Sequence, residues 1–113
     1  MPLDERLADR IRTLLDREED RTGERRMFGG IAFLVDGQMA VAASGAGGLM
    51  VRVAPEDEDA LLSEPGVTPM VMRERPVTGW LRVAAEAVEA DDALAAWVAR
   101  GLARARSLPR PGG

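Results

Sequence analysis

The chain has no cysteine, histidine, tyrosine, lysine or asparagine, and only 4% of it is aromatic. Each absence removes a chemistry. Without cysteine there is no disulfide framework, no thiolate metal site and no redox couple. Without histidine and lysine there is no imidazole base, no Schiff-base amine and no phosphate-loop lysine. Metal binding would fall to carboxylates, backbone oxygens and water, a donor set for magnesium or calcium and not for zinc. Asp, Glu, Ser, Thr and Arg are the side chains left for catalysis, so the inventory argues against an enzyme, and no cofactor is expected. All 15 basic residues are arginine, which nucleotide composition of the genome explains without a functional demand.

No apolar run approaches the roughly 20 residues of a membrane helix. Charges at Asp4, Glu5 and Arg6 stand where a signal peptide would be apolar, so a cytoplasmic location is expected. With 113 residues, 46% hydrophobic and 30% charged, the composition is that of one ordinary globular domain. The net charge of −4 argues against direct nucleic acid binding.

The chain is organised around residues 26–53. Two apolar runs meet at Asp36-Gly37, a pair suited to a type I′ hairpin turn with positive φ at both positions. Gly45-Ala46-Gly47-Gly48 then leads into a third run, giving a three-stranded antiparallel meander. Simple pairing sets Val35 opposite Gln38, Phe33 opposite Ala40 and Ile31 opposite Ala42. Phe28, Gly30, Ala32, Leu34, Met39, Val41 and Ala43 then share the other face. Both faces come out apolar, which predicts that both are covered. A second copy, a partner protein or a ligand groove could cover the second one, and a homodimer is the favoured expectation.

Around the meander, Leu3, Leu7, Ile11, Leu14 and Leu15 predict a helix over residues 3–18, followed by a charged segment with Gly23 as its stop. Pro55 and the acids after it predict a short helix ended by Glu64-Pro65-Gly66. Residues 68–72 and 80–84 read as strands joined by a loop over 73–79 that contains Pro76 and Gly79. Leu94, Trp97, Val98, Gly101, Leu102 and Ala105 form the stripe of a last helix, from Asp91 or Asp92 to Ser107. The expected order is α-β-β-β-α-β-β-α, as one domain over residues 1–108 with a flexible tail over 109–113.

Most candidate sites fail on spacing. The glycine loop precedes a strand instead of a helix, and a dinucleotide fingerprint would need glycine at Met50. Ser44 has no base and no nucleophile elbow. Glu56, Asp57, Glu58 and Asp59 point to different faces of a helix and cannot converge on one ion. Glu86, Glu89, Asp91 and Asp92 are a weaker form of the same pattern. From the set Arg25, Arg26, Arg52, Arg73, Arg75 and Arg82, the candidate anion or partner contacts are Arg26, Arg52 and Arg75, with Arg52 on the Met50 side of its strand. They carry the alternative reading, a small-ligand or anion-binding domain, conceivably a weak enzyme.

Three blocks in order carry a family resemblance. The first is Arg26-Met27-Phe28-Gly29-Gly30, continuing through Asp36-Gly37 to Leu49-Met50-Val51-Arg52-Val53. The second is Arg75-Pro76-Val77-Thr78-Gly79-Trp80, and the third is Trp97-Val98 with Ser107-Leu108-Pro109. Together they resemble the N-terminal domain of the TfoX/Sxy family. The resemblance implies a two-layer α+β domain, with helices on a five-stranded antiparallel sheet. It also implies a role like that of competence regulators, which act as transcriptional co-regulators through protein contacts, in bacteria. Met27, Phe28, Gly29, Gly30, Asp36, Gly37, Gly79 and Trp80 are then structural motif positions. Ala40 stands where relatives often carry an aromatic residue, which would thin one face of the sheet. The second, C-terminal domain of longer regulators is not expected in a chain of this length.

Overall fold

The Asp36-Gly37 turn forms as its residue types require, with φ of 50° and 85° at the two positions. The computed structural model describes residues 5–18, 21–27, 29–45 and 47–109. On either side of the turn run β2 (Gly30–Val35) and β3 (Gln38–Ala43), followed by β4 (Leu49–Arg52). Val35 pairs with Gln38 and Leu34 with Met39, but Phe33 then pairs with Val41. Ala40 is an extra residue in a β-bulge, so the expected pairing of Phe33 with Ala40 and Ile31 with Ala42 is displaced by one. A one-residue slip exchanges the faces of a strand. Val41 and Ala43 therefore join Ile31 and Phe33, and Ala42 falls beside Ala32.

The sheet has six strands, one more than expected. The additional strand, β1 (Thr22–Met27), pairs antiparallel with β2 along its length. Its residues Glu24, Arg25 and Arg26 show no apolar alternation, and for that reason it reads as a charged helix end. An edge strand needs only its backbone satisfied on one side, and charges on it discourage pairing with other chains. Gly23 lies within this strand and ends no helix.

The far side of the sheet is a second hairpin, β5 (Val67–Met72) and β6 (Arg75–Val83), giving the order β1-β2-β3-β4-β6-β5, all antiparallel. The loop expected over 73–79 is instead a two-residue turn, Arg73-Glu74, at φ of 51° and 67°, and an irregular strand start. Pro76 is tolerated because β4 ends its pairing at Trp80, which leaves that part of β6 with a neighbour on one side only.

Helices α1 (Glu5–Leu15), α2 (Glu58–Leu62) and α3 (Asp91–Arg106) lie on one face, in the chain order α-β-β-β-β-α-β-β-α. A 3₁₀ turn with Pro55 in its first turn leads into α2. The six residues predicted as the α3 stripe are all buried. All of them but Gly101 belong, with Leu7, Ile11, Phe33, Val51 and Leu81, to the main core. Each large side chain buried there contributes roughly 1.5–3 kcal/mol. Arg10 clips the helices together, donating through Nη2 to the carbonyls of Val88 and Glu89, each at 2.9 Å, and to Asp91 Oδ1 at 3.1 Å. Residues 110–113 of the expected tail lie outside the described residues, while the Pro109 carbonyl accepts a hydrogen bond from Gln38 Nε2.

Candidate functional site

The three helices lie against one side of the sheet; on the other, Ala32, Leu34, Ala42, Met50 and Met70 are buried as well, although no described helix contributes to their cluster. On the other face the strand pairings align a row across all six strands: Arg25, Ala32, Ala42, Met50, Arg82 and Thr68. Beside it, Leu34 pairs with Met39 and Arg52 with Trp80. Ala32, Ala42, Met50 and Met70 form a second apolar cluster, with Met39, Met72 and Trp80 half-buried against it. None of the three helices belongs to this cluster. Met50 and Met70 are buried beside the two alanines, so the accessible part of the cluster is its rim of Met39, Met72 and Trp80, where an unbranched thioether can adapt to what it meets.

Two of the three candidate arginines lie on this face. Arg52 follows Met50 by two residues in β4, and Arg75 pairs with Met72. Arg26 pairs with Ile31 and so takes the helix side, three strands away from Arg52. The three therefore do not form one site. Arg52 donates through Nη1 to Gln38 Oε1 at 3.1 Å and to the Met39 carbonyl at 3.3 Å, and its guanidinium lies 5.8 Å from the centre of the Trp80 ring. Partial burial, with the nearby charge of Arg104 as a second cause, lowers the Arg52 pKa. Arg82 reaches the β3–β4 loop, donating to the Gly47 carbonyl at 2.9 Å and to Ser44 Oγ at 3.4 Å.

Among the described residues, none of Arg25, Arg52, Arg75 and Arg82 forms an ion pair. The ion pairs found there are Arg10–Asp91, Arg12–Asp9, Arg12–Glu24 and Arg106–Glu18. All lie on the helix side or at its ends. Arg25 and Arg82 stand in the set of arginines that the sequence offers, but which members of that set share a face does not follow from it, because residues 22–27 carry no strand pattern.

Of the motif glycines, Gly29, Gly37 and Gly79 take positive φ, whereas Gly30, like Gly45 of the loop, is required by backbone approach. A Cβ on Gly30 would stand 2.2 Å from the Ala43 carbonyl oxygen, and one on Gly45 2.1 Å from that of Gly29. Gly79 donates its N–H to Glu58 Oε2 at 3.0 Å and so links β6 to α2. Phe28 lies outside the described residues, as does Ala46 of the glycine loop. That loop is a hairpin connection, closed by Ser44 N–H to the Gly48 carbonyl and Gly47 N–H to the Ser44 carbonyl, both at 3.0 Å.

A separate cleft of about 550 Å³ opens between α3 and the segment before α2. Its lining includes Val53, Leu61, Glu56, Asp57, Arg100 and Arg104, with none of Arg26, Arg52 or Arg75. Arg104 Nε is buried there without a hydrogen-bond partner. Both signs of charge meet in this cleft, which does not make it the anion site that the alternative reading requires.

The fold and this face define a small α+β module, three helices on a single antiparallel sheet whose other side presents methionine, tryptophan and arginine. Residues 14–105 match the family model of the TfoX N-terminal domain, and the chain belongs to that family. No curated protein and no solved structure matches it. The family is not a known enzyme family, and membership suggests a competence-related regulatory module. Among the described residues, no helix is long and apolar enough to cross a membrane.

Proposed function

We propose that the chain is a small cytoplasmic, non-catalytic regulatory module that works through protein–protein contact at the open face of its sheet. The observation that carries this reading is the second apolar cluster, in which Met39, Met72 and Trp80 stay half-buried around the buried Ala32, Ala42, Met50 and Met70, and to which no described helix contributes. Methionine and tryptophan are enriched at contact surfaces, where they bury large areas and adapt in shape. Self-association through this face is the homodimer that the sequence suggests, and recruitment of a different protein is the other way to cover it.

A photo-crosslinking amino acid placed at Met72 tests the reading, with Ala103 on the exposed side of α3 as the control. A protein adduct from position 72 and none from 103 is the expected outcome in cells. Equal yields, or no adduct from either, would remove the reading. Sedimentation of the purified chain then separates a second copy from a different partner.

A further inference from the structure

We propose that the occupant of the open face is an acidic amphipathic helix of a partner protein. This rests on the reading of that face as a contact surface and names what covers it. The chain has 19 acidic residues against 15 basic ones. Nevertheless, every charged residue that strand pairing or alternation places on this face is an arginine: Arg25, Arg52, Arg75 and Arg82. The face thus inverts the sign of the whole molecule. Among the described residues, none of the four is neutralised by a carboxylate of the chain itself.

Charge therefore selects among the occupants. Two copies meeting through this face would set arginines only against arginines, with no acid on either side to relieve them, and like charges across an interface oppose association. Nucleic acid would satisfy arginine, but single-strand binders stack successive bases on several aromatic rings. Here one tryptophan stands among methionines.

The dimensions suit a helix. From Arg25 on β1 to Arg82 on β6 is four strand spacings, roughly 19 Å. A helix is about 10–12 Å across with its side chains. Lying along β2, β3 and β4 above the cluster, against its half-buried rim and not its buried centre, it would leave Arg25 beside one flank and Arg82 beside the other. Carboxylates on both flanks of an apolar stripe would then meet guanidinium groups.

Two labelled peptides of identical apolar stripe, one with glutamate on its flanks and one with lysine, test this by fluorescence anisotropy with the full chain. The glutamate peptide should bind at least about tenfold more tightly, and its affinity should fall with added salt. The variant R25E/R75E, at two exposed positions, should reverse the order while keeping the native circular dichroism spectrum. Equal affinities, tighter binding of the lysine peptide, or stronger binding of a single-stranded oligonucleotide would overturn the proposal. Self-association abolished by a Met72→Glu change would overturn it in favour of a second copy. If neither peptide binds while position 72 still crosslinks to a protein, the contact surface stands and the acidic helix is refuted. If the crosslink fails as well, both are refuted.

Discussion

Gly101 of α3 lies directly against Ala40 of β3. A Cβ built on the glycine would stand 2.5 Å from the Ala40 carbonyl oxygen and 2.6 Å from Cγ1 of Val41. The β-bulge presents that carbonyl to the helix, and glycine is the residue that lets the helix come down onto it. Ala40 is therefore on the core side, 1% exposed, and its small size leaves the open face untouched.

Replacing Gly101 with alanine should destabilise the chain, although alanine is the better helix former by about 1 kcal/mol. The clash is with backbone and a β-branched side chain, so helix and sheet must separate. A net loss of about 1–3 kcal/mol is expected in urea unfolding. An unchanged or higher midpoint would mean that α3 moves freely on the sheet.

Arg10 binds two backbone carbonyls with a side chain only 22% exposed, joining α1 to the start of α3. Hydrogen bonds from a charged donor contribute about 1.5–3 kcal/mol. Arg10→Met keeps much of the packing and removes the donors. It should cost about that amount and accelerate amide exchange near residues 88–94 more than in the β5–β6 hairpin.

Arg12 holds Glu24 through two hydrogen bonds, Nε to Oε2 at 2.6 Å and Nη2 to Oε1 at 2.9 Å, and donates to Asp9 Oδ1 at 2.6 Å. The Arg12 hydrogen bonds hold the Glu24 pKa below its ordinary value of 4.5. Between the folded and unfolded values the unfolded chain binds more protons, so stability rises with pH there. The contribution is fully present above the unfolded value and is lost as pH falls through the folded one. Glu24→Gln should flatten the acid limb of a stability–pH curve below about pH 4.5. It should change little at pH 7 beyond a uniform offset, kept small by the exposure of both side chains.

Arg73 and Glu74 both take positive φ without being glycine. Non-glycine residues in that region cost about 1–2 kcal/mol each. Changing the pair to the turn sequence favoured by this geometry, R73N/E74G, should raise the thermal midpoint. No change would mean that side-chain contacts at the turn offset the backbone cost.

The first hairpin, the α3 stripe and the short helix after Pro55 were legible because each has its own local chemistry. Asp36-Gly37 demands its turn, six apolar residues at helical spacing demand a buried face, and proline with acids suits a helix start. β1 was not legible. Its residues show no apolar alternation, and only the row of backbone groups offered by β2 makes Thr22–Met27 a strand. The bulge at Ala40 was hidden for a related reason: nothing in Gln38-Met39-Ala40-Val41 favours an extra residue until α3 packs against it.

By itself the sequence determined the inventory of possible chemistry, the type of most elements and the family, because these follow from residue identity and short-range spacing. The tertiary structure decided which residues share a face. One unpaired residue in β3 moves Ala42 beside Ala32, and an edge strand with no pattern of its own brings Arg25 into line with them. Register is set by long-range pairing and packing, not by local preference. The grouping of arginines around a methionine surface therefore exists only in the folded sheet.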